Sequence, residues 1–86
     1  TKITPSGVSS ILGTTGTLPQ GITVDSLGNV YVVNFTSQNV TKITPSGVST
    51  IVGTTGGGPT GIVFNSSETI LYVSNTTTDN VSKIVL

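Results

Sequence analysis

Thr1-Lys2-Ile3-Thr4-Pro5-Ser6-Gly7-Val8-Ser9-Ser10-Ile11-Leu12-Gly13 returns as Thr41-Lys42-Ile43-Thr44-Pro45-Ser46-Gly47-Val48-Ser49-Thr50-Ile51-Val52-Gly53, with changes only at residues 10/50 and 12/52. The correspondence runs outward from there. Thr14-Thr15-Gly16 falls over Thr54-Thr55-Gly56, Pro19 over Pro59 and Gly21-Ile22 over Gly61-Ile62. One extra residue near Glu68 then moves the offset to 41, placing Tyr31-Val32 over Tyr72-Val73 and Asn39-Val40-Thr41-Lys42-Ile43 over Asn80-Val81-Ser82-Lys83-Ile84. The chain is therefore two tandem copies of one unit of about 40 residues, a period typical of propeller blades and related arrays.

Within each period the apolar runs are short, β-branched and bounded by Gly, Pro, Asn or Ser, the pattern of strands rather than helices. The first set is expected near Gly21 to Asp25, Val30 to Asn34, Val40 to Thr44 and Val48 to Val52. Its equivalents are expected near Ile62 to Asn65, Ile70 to Ser74 and Val81 to Val85. Ser26-Leu27-Gly28-Asn29 and Pro45-Ser46-Gly47 carry hairpin-turn chemistry, the glycines permitting positive φ and the proline fixing the turn entry. Val30-Tyr31-Val32-Val33 is apolar at consecutive positions, as in a strand covered on both faces.

Pro19-Gln20-Gly21-Ile22-Thr23-Val24-Asp25-Ser26-Leu27-Gly28-Asn29-Val30-Tyr31-Val32, followed by Asn39-Val40-Thr41-Lys42-Ile43-Thr44-Pro45-Ser46-Gly47, resembles an NHL repeat. The resemblance covers essentially the whole chain and implies an all-β fold, with four-stranded antiparallel meanders arranged as propeller blades, mostly six to a ring in that family. The second copy departs from the pattern, with Asn65 for Asp25 and Ser67-Glu68-Thr69 for Leu27-Gly28-Asn29, so a longer hairpin is expected there.

The expected organisation is a partial blade and connector over 1–20, a complete blade over 21–53, and a connector with three strands of a second blade over 54–86. Residues 1–5 are equivalent to 82–86, so the chain holds a surplus third strand, while its second blade lacks the fourth strand that Val8 to Leu12 of another copy could supply. A blade hides its faces only against other blades, and closed rings use about four to eight. The expected partners are therefore copies of the same chain, joined by strand donation into a trimeric ring of six blades or an open filament.

Composition narrows the function. Ser and Thr supply 28 of 86 residues, against three lysines (Lys2, Lys42, Lys83) and three acids (Asp25, Glu68, Asp79), with no His, Cys, Met, Trp or Arg. A soluble surface ordinarily draws about a quarter to a third of its residues from charged types, so hydroxyl-rich faces buried in an assembly, covalent glycans or poor solubility are implied. No basic footprint for nucleic acid is present, and no run approaches the roughly 18 apolar residues of a membrane span. The chain lacks an initiator Met and a signal-like start, so it is expected to begin after processing or to be cut from a longer protein.

Five asparagines begin Asn-x-Ser/Thr: Asn34, Asn39, Asn65, Asn75 and Asn80. They are candidate N-glycosylation sites, and equally Asn residues suited to turns. Asp25 and Asn65 end the innermost strands. The resemblance implies a divalent-cation reading for them, because some related propellers hold a metal in the central channel; the plain reading is an Asx-turn cap, and one acid in two blades makes a thin cage. No metal, no cofactor and no catalytic residue is expected. The three lysines read as a solvated stripe, Tyr31 and Tyr72 as packing between blades, Phe35 and Phe64 as unrepeated, and the Thr-Gly loops as flexible connectors. The chain reads as an extracellular or cell-surface structural repeat protein that self-assembles. The alternative is a lectin-like module binding carbohydrate or protein, and a third reading is a lactonase- or lyase-like enzyme.

Overall fold

A computed structural model describes residues 1–3, 7 and 9–86 of the chain. Thr4, Pro5, Ser6 and Val8, which the sequence assigns to the first turn and to the start of the donated strand, lie outside the described residues.

Alternating β-branched residues and turn formers give β1 (Lys2–Ile3), β2 (Ser9–Ser10), β3 (Pro19–Val24), β4 (Val30–Asn34), β5 (Asn39–Ile43), β6 (Ser49–Thr54), β7 (Pro59–Phe64), β8 (Ile70–Asn75) and β9 (Asn80–Val85). They form three antiparallel meanders, β1-β2, β3-β4-β5-β6 and β7-β8-β9. The described residues are all-β, and the two larger sheets are blades of the propeller type.

The innermost strands start two and three residues earlier than the sequence suggests, at Pro19 and Pro59, because bulges between Pro19 and Ile22 and between Pro59 and Gly61 absorb the Pro-x-Gly segment. Gly21 is fixed by packing. A Cβ there would lie 2.5 Å from the Thr60 carbonyl oxygen, so β3 can approach β7 this closely only with glycine.

The extra residue of the second copy is absorbed in the hairpin between β7 and β8. Val24 pairs with Val30 across five intervening residues, whereas Phe64 pairs with Leu71 across six. Both hairpins keep the same turn, Gly28 N–H donating to the Asp25 carbonyl and Glu68 N–H to the Asn65 carbonyl, each 3.1 Å.

The core lies between the blades rather than within either. Tyr31, Val33 and Val40 of the first blade pack with Ile62, Leu71, Val73 and Ile84 of the second, and Val52 and Phe64 close the rim. Phe64, unremarkable in the sequence, meets the Tyr31 ring edge-on at a centroid distance of 4.9 Å, a favoured aromatic geometry.

The connector at Gly57-Gly58 is not a loose loop. Both glycines are buried, their carbonyls accept from the N–H groups of Thr77 (3.1 Å) and Thr76 (2.8 Å), and a Cβ at Gly58 would collide with the Thr77 hydroxyl. The equivalent turn of the first copy uses Leu18 at φ 56° where the second has Gly58 at φ 67°. The flexibility expected of the second connector is therefore corrected: glycine serves close approach there.

Candidate functional site

Cross-strand register fixes which residues share a face. In the first blade Tyr31 lies opposite Lys42 and Val33 opposite Val40, and this face packs on the second blade. The other face carries Ile22 opposite Val32 and Val30 opposite Ile43. In the second blade Leu71 opposes Ile84 on the packed face, while Val63 opposes Tyr72 and Ser74 opposes Val81 on the outer one.

The outer face of the second blade is open, with Val63, Tyr72, Val81 and Val85 all exposed. These include the equivalents of Tyr31 and Val40, which are buried at the contact within the chain. The packing expected of the tyrosines holds within the chain for Tyr31, while Tyr72 is exposed among the described residues.

On the opposite side of the pair, β1, β2 and Leu12-Gly13 take the place of a blade's outer two strands. A Cβ at Gly13 would lie 2.8 Å from Ile43 Cγ2, just as one at Gly53 would lie 2.8 Å from Ile84 Cγ2. Gly16 likewise faces the Asn34 side-chain amide at 2.8 Å, as Gly56 faces that of Asn75 at 2.9 Å. Gly13 and Gly16 therefore repeat the outer part of the blade-to-blade contact. Where the inner two strands of that blade would lie there is instead a cleft of about 600 Å³, between Leu12 and Gly13 on one side and Ile22, Val30, Val32 and Ile43 on the other.

The sequons are drawn into this architecture. Asn34 and Asn75 end the second strand of each blade and are fully buried. Asn34 Nδ2 donates to Asn39 Oδ1 (2.8 Å) and Thr41 Oγ1 (2.9 Å), and Asn75 Nδ2 donates to Asn80 Oδ1 (2.9 Å) and Ser82 Oγ (2.9 Å). A glycan on either Nδ2 would replace one of its two hydrogens and so cost at least one of these bonds; in the folded chain both side chains serve as buried ties between strands. Their Oδ1 atoms are buried without a partner among the described residues. The signal was present: Asn, Asn and Ser/Thr recur at the same spacing across a hairpin, and the motif is an interstrand network as much as a sequon.

Asn65 is committed to its turn, Oδ1 accepting from the N–H groups of Thr69 (2.9 Å) and Ile70 (3.0 Å) and Nδ2 donating to Ser67 and Thr69. Asp25 does the same work in the first blade, Oδ1 accepting from Leu27 N–H (3.0 Å) and Asn29 N–H (2.9 Å), with the Tyr31 hydroxyl 3.3 Å from Oδ2. Slight burial pushes the Asp25 carboxyl up, but the bonds from Asn29, Leu27 and Tyr31 together outweigh it and hold the group below its ordinary value. Burial first, and then the Asp25 charge, push the Tyr31 hydroxyl up. Both residues are thus Asx caps. Among the described residues no three His, Cys, Asp or Glu side chains gather at one point.

One tie crosses between blades at their turns. Ser26 N–H donates to both Glu68 carboxylate oxygens, at 3.1 and 3.0 Å, and the Ser26 hydroxyl donates to Oε1 at 2.6 Å. Nothing in the spacing of Glu68 had announced this, since the residue stands where the first copy has Gly28.

A family model described as a Beta-propeller repeat matches residues 9–33, from β2 through β4. Over that segment the chain is similar to a β-propeller repeat family, in agreement with its bladed all-β architecture. No curated protein matches the chain significantly.

Proposed function

We propose that the chain is a structural repeat unit that assembles with copies of itself, blade on blade, into a propeller ring or an open array outside the cell. The observation that carries the reading is the outer face of the second blade, which presents Tyr72 and Val81 where the first blade presents the buried Tyr31 and Val40. An apolar sheet face of this kind ordinarily marks an interaction surface.

A second copy is the occupant that fits, because its first blade offers the surface complementary to that face. Ile22, Val24, Val30, Val32 and Ile43 occupy the positions that Ile62, Phe64, Leu71, Val73 and Ile84 hold in the packed contact within the chain. The inner strands β7 and β8 of one copy would fill the cleft of the next. The free edge of β9 would take residues 9–14 of that copy as its fourth strand, since Ser9-Ser10-Ile11-Leu12-Gly13-Thr14 matches the Ser49–Thr54 strand that pairs with β5. The surplus β1 would be displaced. Donation of a strand to an open edge uses main-chain hydrogen bonds for affinity and side-chain pockets for register.

The NHL type of blade is favoured by the Pro-x-Gly entry and the Asp cap of the first turn. Low charge and abundant hydroxyls favour burial in an assembly or glycan cover at the surface. Asn39 and Asn80, whose Oδ1 atoms are the engaged ones, are the sequons best placed to carry sugar. The proposed role is non-enzymatic.

The test is mass in solution across a concentration series, with negative-stain images of the same samples. Particles of three chains are expected for a closed ring of six blades, and fibres for an open array. A cooperatively melting monomer at every concentration would overturn the proposal.

A further inference from the structure

The geometry points to Glu68 as the residue that distinguishes the contact within a chain from the contact between chains, an inference that rests on the assembly reading above. Two observations single it out. Glu68 holds φ 58° in a turn where the first blade uses Gly28 at φ 85°, so the second blade tolerates a backbone conformation that L-residues avoid. Its carboxylate also takes three hydrogen bonds from Ser26 of the preceding blade. Charge-assisted bonds of this kind are about twice as strong as neutral ones.

Stacking a second copy on the open face brings a different pair to the same place. The exposed Ser66 takes the role of Ser26, being the residue after the Asx cap, and Gly28 of the next copy takes the role of Glu68. Gly28 has no side chain to reach across. The contact inside each chain is therefore clasped and the contact between chains is not, although the sheets meeting there are near copies. Two-blade chains should come apart and rejoin as intact pairs, and blade order in the assembly should be set by which turn carries the carboxylate.

Supplying the missing carboxylate tests this directly. A Cβ at Gly28 would meet only Pro45 Cγ, at 3.4 Å, so the position has room. Gly28→Glu is expected to tighten association between chains roughly tenfold in sedimentation equilibrium, the increment of a charge-assisted clasp. Adding Ser66→Pro, which removes both donors at the turn position where proline is best tolerated, should return the constant to the wild-type value. Gly28→Asn accepts the same φ without the reach and controls for folding; it should leave association unchanged. An assembling protein in which Gly28→Glu changes nothing, or in which the gain survives Ser66→Pro, would sink this inference and leave the assembly reading standing. A chain that stays monomeric in every variant removes both.

Discussion

Equivalent residues of the two blades meet opposite fates. Tyr31 is 4% exposed and Tyr72 36%; Val40 is fully buried and Val81 65% exposed. On the other face the order reverses, Ile62 being 9% exposed and Ile22 68%. Neither residue type nor position in its strand differs within a pair, so the difference comes entirely from whether a blade stands alongside. Burial here is set by which sheet stands alongside rather than by the residue itself.

That contrast can be broken most strongly at the paired valines. Val40→Ala should cost about 2 kcal/mol of stability, since it deletes fully buried methyl groups between the blades. Val81→Ala in the dilute chain should stay within about 0.5 kcal/mol, as at other exposed positions. Urea unfolding at low concentration measures both. Under the assembly proposed above, the Val81 change should instead weaken association at high concentration; equal effects of the two substitutions on the dilute chain would contradict the packing described.

The turns sharpen the comparison at a smaller scale. Glu68→Ala keeps a side chain at positive φ and loses the bonds to Ser26, so a loss of about 1–2 kcal/mol is expected. Glu68→Gly makes the two turns alike: it loses the same bonds but sheds roughly 1 kcal/mol of left-handed strain. Thermal unfolding should therefore rank wild type and glycine close together and alanine below both. Alanine matching wild type would mean that the clasp contributes nothing.

The smallest effect separates the two Asx caps. Asp25 titrates and Asn65 does not. Because the folded-state value of Asp25 lies below its ordinary 3.8, its contribution is present above that pH and is lost as pH falls through the lower, folded value. Asp25→Asn should flatten the stability profile below about pH 4 and make the first turn behave like the second. A profile unchanged by the substitution would show that the cap does not depend on its charge.

The sequence was most informative where chemistry is local. Strand runs, the Gly28 turn, the longer hairpin around Glu68 and the Asx caps follow from residues close in the chain, and the repeat doubles each signal. It was least informative where contact is remote. Phe64 against Tyr31 joins residues far apart in sequence, and the Glu68 to Ser26 clasp joins residues 42 apart. Asn34 and Asn75 read two ways in the sequence because Asn-x-Thr serves equally as an acceptor sequence and as the end of a hydrogen-bonded hairpin.

The amino-acid order alone determined a tandem, all-β, turn-punctuated chain with almost no charge and neither His nor Cys, because backbone preference and side-chain chemistry are written residue by residue. Only the tertiary arrangement decided which of two identical tyrosines is covered, which asparagines are buried and which turn reaches across to its neighbour. Those outcomes depend on what lies beside each sheet, and adjacency in space is fixed by packing between blades rather than by preferences within one.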